Sequence, residues 1–304
     1  MPESLSKVGD VVAQKPRRRR LTTALFAVAM SAACSTATDG ERLASSDMAD
    51  MPGMGMEAAP STPAVADAEP SGTGLSDTMG GYSFVLAGVT APGTFSFRIS
   101  GPDGRAVTRY QPYESRFVVL SVVRSDLSGY SLLDPAMRQD GTWTARLPAL
   151  PPGAYRAFAT FAAPDSSQGL PLRYTLSQAF TVPGQAGDVS LPSATTTTQV
   201  DGFTVTWNGL PRVGVPEPLG VSISSGGKPV RFVDRFLDGY VHLTAFHAGD
   251  LAFARILSTG KDSAGTLTAN AVFPRSGTWR LFAQFQVAGQ LHTAAFTVVV
   301  PAGQ

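Results

Sequence analysis

The stretch PPGAYRAFATF at 151–161 returns as RSGTWRLFAQF at 275–285, 124 positions later. Gly153 falls on Gly277, Tyr155 on Trp279, Phe158 on Phe282 and Phe161 on Phe285, and the same offset carries Asp126-Leu127 onto Asp250-Leu251. Downstream, QAFTVPG (178–184) answers to AAFTVVVPAG (294–303), and upstream GYSFVLAGV (81–89) answers to GFTVTWNGL (202–210). An internal repeat of this size describes one unit built twice, so a single fold has to satisfy both copies.

Inside each copy the apolar period is two. Phe95, Phe97 and Ile99 alternate with small or polar residues and end at Gly101-Pro102-Asp103-Gly104; Leu219, Val221 and Ile223 run into Gly226-Gly227-Lys228-Pro229. Arg116 to Val123 and Tyr240 to Phe246 are apolar enough for central strands. Tyr155, Ala157, Ala159 and Phe161 share one strand face, as do Trp279, Leu281, Ala283 and Phe285. The glycine two residues before each aromatic supplies a positive φ that swings the ring inward. Short strands punctuated by turns, with no helical period, predict an all-β chain of two tandem Ig-like β-sandwich domains, 80–184 and 200–304, joined by a linker at 185–199.

The first 79 residues differ. Lys15-Pro16-Arg17-Arg18-Arg19-Arg20 followed by the apolar LTTALFAVAMSAA (21–33) predicts a signal peptide over 1–33. An apolar run of 13 residues is short of the ~20 that a membrane span needs. Ser31-Ala32-Ala33-Cys34 resembles a bacterial lipobox, with Ser31 standing where a larger aliphatic residue is usual. That resemblance implies a lipidated Cys34 and a chain held at the outer face of the cell membrane; secretion without an anchor is the alternative. Cys34 is the one cysteine, so no internal disulfide forms. Residues 34–79 lack a sustained apolar period and read as a disordered Met/Ala/Pro/Ser-rich tether.

Enzymatic motifs are scarce. The histidines are His242, His247 and His292; there is no G-x-S-x-G elbow, and SSGGKP (224–229) lacks the first glycine and the Ser/Thr of a phosphate loop. With 24 basic and 23 acidic residues the chain has no field to draw in nucleic acid. The expectation is a binding protein, not an enzyme. Its strongest chemical signal is DMADMPGMGMEAAP (47–60), where Met48, Met51, Met54 and Met56 account for four of the chain's eight methionines. Thioethers are soft ligands suited to Cu(I), and Pro52, Gly53 and Gly55 let the chain bend around one ion. This run resembles the Met-rich segments of exported bacterial copper-handling proteins, without their interspersed histidines. A low-complexity tether in which the methionines scavenge oxidants is the competing reading.

The stretches VVRSDLSGY (122–130), DGTWTARLPALPPGAYRAFATF (140–161), GYVHLTAFHAGDLAF (239–253) and SGTWRLFAQF (276–285) resemble the tandem Ig-like domains of actinobacterial exported proteins of heavy-metal-binding, copper-resistance style. That resemblance implies a histidine at the start of the central strand, which His242 matches in the second copy, while the first copy has Val118 or Val119 there. The implied His-x-His-Pro is replaced by Ser131 to Pro135 in one copy and Arg255 to Ser258 in the other. His242 is thus a weak metal candidate, and the methionines carry the Cu(I) expectation. Arg156 with Phe158, and Arg280 with Phe282, sit on the face opposite the core aromatics. They mark either a contact surface for an envelope partner, protein or polysaccharide, or a second buried layer.

Overall fold

The computed structural model describes residues 66–67, 73–164, 171–187 and 189–302. The signal segment, Cys34, Met48, Met51, Met54 and Met56 lie outside them. Every regular element among the described residues is a strand, and no helix there is long and apolar enough to cross a membrane.

The first sandwich contains β1 (Ala66–Asp67), β2 (Thr78–Met79), β3 (Tyr82–Val89), β4 (Gly93–Ser100), β5 (Val118–Arg124), β6 (Tyr130–Leu133), β7 (Ala136–Met137), β8 (Thr142–Leu147), β9 (Gly153–Pro164) and β10 (Pro171–Val182). Its two sheets run β2-β3-β4-β8-β7 and β1-β10-β9-β5-β6. Splitting the strands in this way, with β3-β4-β8 facing β10-β9-β5, is the Ig-like arrangement. The core between the sheets holds Phe84, Phe95, Phe97, Leu120, Trp143, Phe161 and their neighbours.

The second sandwich contains β11 (Thr197–Val200), β12 (Phe203–Asn208), β13 (Glu217–Ser225), β14 (Lys228–Pro229), β15 (Val241–His247), β16 (Phe253–Lys261), β17 (Leu267–Val272), β18 (Gly277–Val287) and β19 (Gln290–Val300). Here the strands join in one run, β11-β12-β13-β17-β16-β15-β18-β19, with β14 on β13. The join is β16. It starts on β15, Phe253 opposite Phe246, and finishes on β17, Lys261 opposite Leu267, with a bulge between Ser258 and Gly260. The same stretch of the first copy is cut into β6 and β7 by Asp134-Pro135, because proline has no N–H to extend a ladder.

The repeated glycine step works as its sequence implies. Gly153 has φ 147° and Gly277 φ 121°, and Tyr155 and Trp279 behind them are buried. The Tyr155 hydroxyl donates to the Pro151 carbonyl (2.7 Å) and the Trp279 Nε1–H to the Arg275 carbonyl (3.2 Å), two versions of a tyrosine corner. A Cβ on either glycine would strike the side chain packed over it, Arg124 at 3.0 Å in one copy and His247 at 2.5 Å in the other. Arg124 pairs with Asp126, and His247 Nδ1 lies 2.8 Å from Asp250, which also pairs with Arg275.

The strands β5 and β15 are buried on both faces. One face covers its own core. The other is covered by the opposite sandwich, across a cluster of Val123, Leu127, Phe158, Phe246, Leu251 and Phe282. Tyr130 stacks on Phe282 at 4.6 Å between ring centroids, and Phe158 meets Phe246 at 4.9 Å. Each fully buried phenylalanine is worth about 1.5–3 kcal/mol over its exposed state, so this cluster fixes the two sandwiches as one body.

Residues 73–77, within the span expected to be tether, lie along the same junction. The Thr73 carbonyl accepts the Phe253 N–H of the second sandwich (2.7 Å), and the Ser76 carbonyl accepts the Ser177 N–H of the first (2.9 Å). Leu75 packs against both the second core and the junction cluster. A Cβ on Gly74 would meet Thr175 at 3.0 Å and Phe253 at 3.1 Å, so only glycine passes between them.

Candidate functional site at the sandwich junction

The junction has an apolar half, described above, and a polar half centred on His242. Period two places His242, Thr244 and Phe246 on the face of β15 that looks away from its core, toward the first sandwich. His242 Nδ1 lies 3.0 Å from Glu114 Oε2, and its Nε2 lies 3.1 Å from Thr244 Oγ1. Thr244 Oγ1 is 3.1 Å from the Tyr130 hydroxyl, which is 3.4 Å from Ser121 Oγ. On the far side, the Tyr113 hydroxyl donates to Glu114 Oε1 (3.1 Å), and Arg173 donates to that hydroxyl (2.8 Å).

The one group here that can only accept is the ionised carboxylate. Nδ1 faces that carboxylate of Glu114, and the chain of contacts continues from Nε2 to Thr244 Oγ1 and on to the Tyr130 hydroxyl. The result is a relay that crosses the junction twice and ends on Glu114. Burial works to raise the Glu114 pKa, but the charge and hydrogen bond of His242, the Tyr113 hydroxyl and the Arg173 charge outweigh it, holding the carboxyl below its ordinary 4.5. Burial pushes Tyr130 up to about 12, which keeps its hydroxyl a donor.

Glu114 itself sits in a strained turn. Tyr113 and Arg116 exchange backbone hydrogen bonds (2.7 and 2.9 Å) around Glu114 (φ 50°) and Ser115 (φ 57°). Both central residues are left-handed, the signature of a type I′ turn that ordinarily takes Asn and Gly. The Ser115 N–H and hydroxyl both donate to Asp238 in the matching loop of the second sandwich, the former at 2.9 Å. That contact, with the pull of His242, holds a carboxylate where glycine would be easier.

Thr244, His242 and Glu114 have the connectivity of a nucleophile, base and orienting acid. The space around the hydroxyl is tight. Thr244 is 2 % exposed, and the cavity beside it measures about 20 Å³, room for one water-sized group. A larger cleft of about 240 Å³ reaches His242 and Glu114 from solvent but not Thr244. Both ring nitrogens of His242, the weak metal candidate, have protein neighbours within hydrogen-bond distance, Glu114 at Nδ1 and Thr244 at Nε2. Among the described residues no three His, Cys, Asp or Glu side chains converge as a metal set.

The other residues singled out in the sequence have clear places. Phe158 and Phe282 are buried in the junction, where the surface each contacts belongs to the other sandwich. Arg156 Nη1 donates to Ser177 Oγ (2.8 Å) and to the Leu75 carbonyl (3.1 Å), clasping the strap formed by 73–77. Arg280 Nη1 donates to Thr297 Oγ1 (2.9 Å). His292 lies opposite Phe285 and His242 opposite the adjacent Gln284, so the two histidines occupy opposite faces of the sheet and share no site. His292 instead binds Asp201 (2.8 Å) and packs on Phe203. Sequence reasoning missed Glu114, Tyr113, Arg173 and Tyr130. No spacing marks them, since they come from a turn, a strand and an edge brought together only by the junction.

The model of a domain of unknown function, DUF8832, matches residues 198–302, the span of the second sandwich. No curated protein matches the chain. Among solved structures, Yersinia pseudotuberculosis InvD is similar at 14% identity and TM-score 0.23, over 74% of this chain and 59% of that one. The chain thus spans less than two thirds of InvD's length. Two marsupial T cell receptor chains are similar at 10% and 9% identity, with TM-scores of 0.18 and 0.19. They are matched over 73% and 71% of this chain, and over 96% and 62% of theirs. Scores at this level support no inference about function.

Proposed function

We propose that the chain is an exported, non-enzymatic binding protein, held at the membrane by a lipid on Cys34, in which the two sandwiches act as one head. The observation that carries this reading is the closed state of the junction. Its histidine, carboxylate and hydroxyls bond to one another, and the space beside its triad-like hydroxyl measures about 20 Å³. Within the reading, soft-metal capture belongs to Met48, Met51, Met54 and Met56, because the histidine of the head nearest to a ligand role has Glu114 and Thr244 at its ring nitrogens. Titration of the mature protein with Cu(I) against a competing chelator tests it. Replacing all four methionines by leucine is expected to abolish competition; an unchanged affinity would remove copper from the function. A second reading, an envelope interaction module with no metal role, is favoured by the exposed aromatic side chains at one end of the head.

A further inference from the structure

Phe232 is 86 % exposed, the largest exposure among the big apolar side chains described, and Phe117 is 50 % exposed. Both belong to the loops that enter the central strands, β15 and β5. These loops share one end of the head: Gln111 bridges to Ala162 near the end of β9, and Asp234 to Gln286 near the end of β18. Phe117 and Arg235 line one shallow cleft of about 460 Å³ that both sandwiches build. Arg231 adjoins Phe232 in sequence, Arg235 lines the cleft with Phe117, and Lys261 shares a ring with Arg235; none of the three is ion-paired among the described residues. Arg235 and Lys261 both lean on the Tyr240 ring, at 5.6 and 4.8 Å. The acids of the same loop are hydrogen-bonded: Asp234 accepts the Gly289 N–H (2.8 Å), and the exposed Asp238 takes both donors of Ser115. From Lys228 to Tyr240 the loop still carries one more positive charge than negative.

A bare phenylalanine beside cations that lack an ion-pair partner among the described residues is the composition of a membrane-interface contact, where the ring enters the boundary of the acyl chains and the cations meet headgroup phosphates. The path of the chain gives the orientation. Strand β1 pairs parallel to β10, Ala66 opposite Leu172 near the start of β10 at Pro171. Ala66 thus stands at the end of the head where β9 finishes and where Phe117 and Phe232 lie. A chain anchored upstream through Cys34 would be drawn to the membrane with that end leading.

We propose that this end of the head, through Phe232, Arg231 and Arg235, docks on an anionic phospholipid surface. The orientation rests on the lipid-anchored reading above; the surface chemistry does not. The test uses the mature chain with Cys34→Ser, so that no acyl group contributes, and co-sedimentation with phosphatidylcholine vesicles with and without about 30% phosphatidylglycerol. Binding is expected to the anionic vesicles, falling as salt is raised. Phe232→Ala is expected to weaken it about tenfold, and Arg231→Gln and Arg235→Gln about fivefold each, with unchanged melting temperatures because all three side chains are exposed. No binding to anionic vesicles, or binding unmoved by these substitutions, overturns the proposal, and leaves this end to an envelope protein. The mass of Cys34 in the native membrane fraction is read separately. An unmodified thiol there overturns the lipid anchor without touching the vesicle result.

Discussion

The two halves of the junction treat the duplication differently. In the apolar half the copies contribute equivalent residues: Phe158 and Phe282, Leu127 and Leu251, Val123 and Phe246. In the polar half equivalence is lost. Register on the neighbouring strand puts Val119 opposite Thr160 where His242 stands opposite Gln284. The first copy's Glu114, Tyr113, Tyr130 and Arg173 fall where the second has Leu237, Phe236, Phe253 and Leu291. One copy thus holds the carboxylate and its supporters, and the other holds the imidazole. Two identical sandwiches facing each other would bring Glu114 to Val119, with no partner for the charge. A symmetric apolar contact can be made by two copies of one domain; an asymmetric polar one specifies that these two different domains pair.

The largest expected effect tests the symmetric half. Phe158→Ala and Phe282→Ala should each lower the unfolding free energy of the mature chain by about 3–5 kcal/mol in denaturant titrations. Their losses should agree to within about 1 kcal/mol; a wide gap would show that the two positions are not equivalent. Next comes the asymmetric half. Glu114→Ala leaves His242 and Tyr113 without their acceptor and should lose about 3 kcal/mol. Glu114→Leu combined with His242→Val installs the apolar identities of the opposite copy, and should recover most of that loss. If the double variant is as unstable as the single, the relay is not what holds this half together.

The smallest effect is one of pH. Because the Glu114 carboxyl lies below its ordinary 4.5 when folded, its ionised form stabilises the fold fully above that value. The stabilisation is lost as pH falls through the depressed folded pKa. Asp126 and Asp250 are also lowered, burial opposing and their hydrogen bonds prevailing, so both add to acid sensitivity. The informative quantity is the difference in stability between the native chain and Glu114→Gln, measured from pH 6 downward, which should shrink below about pH 4. A constant difference would mean that Glu114 is not held ionised by His242.

Much of the fold is legible in the sequence. The 124-residue offset, the period-two strands and the Gly-x-aromatic step each describe contacts within one copy, where neighbours in sequence or across one hairpin decide the outcome. The faces were legible too: Tyr155, Ala157, Ala159 and Phe161 point to one core, and Phe158 points away from it. What covers Phe158 was not. Alternation says which residues share a face, and it is silent about a surface 88 residues further on, at Phe246. The relay was hidden for the same reason, and Glu114 doubly so, since a glutamate in a type I′ turn runs against the preference that identifies such turns. Residues 73–77 have tether-like composition, with Leu75 their sole large apolar side chain, and only the packing of that leucine between the sandwiches makes them part of the head.

The strap has a mechanical consequence. Tension arriving along the chain from the N-terminal side meets the short β1–β10 pairing at Ala66–Asp67 and then Thr73 to Asp77, before β3 and the strands behind it. There it meets, in sequence, a hydrogen bond to the second sandwich at Phe253, one to Arg156 and one to Ser177 of the first, and one to Phe84 beyond. These bonds lie along the path of the chain and share the load, and Leu75 wedged between them must leave its seat before the path can lengthen. A pull on the tether is therefore delivered to both sandwiches at their seam, and the seam, more than either core, sets the force the head withstands.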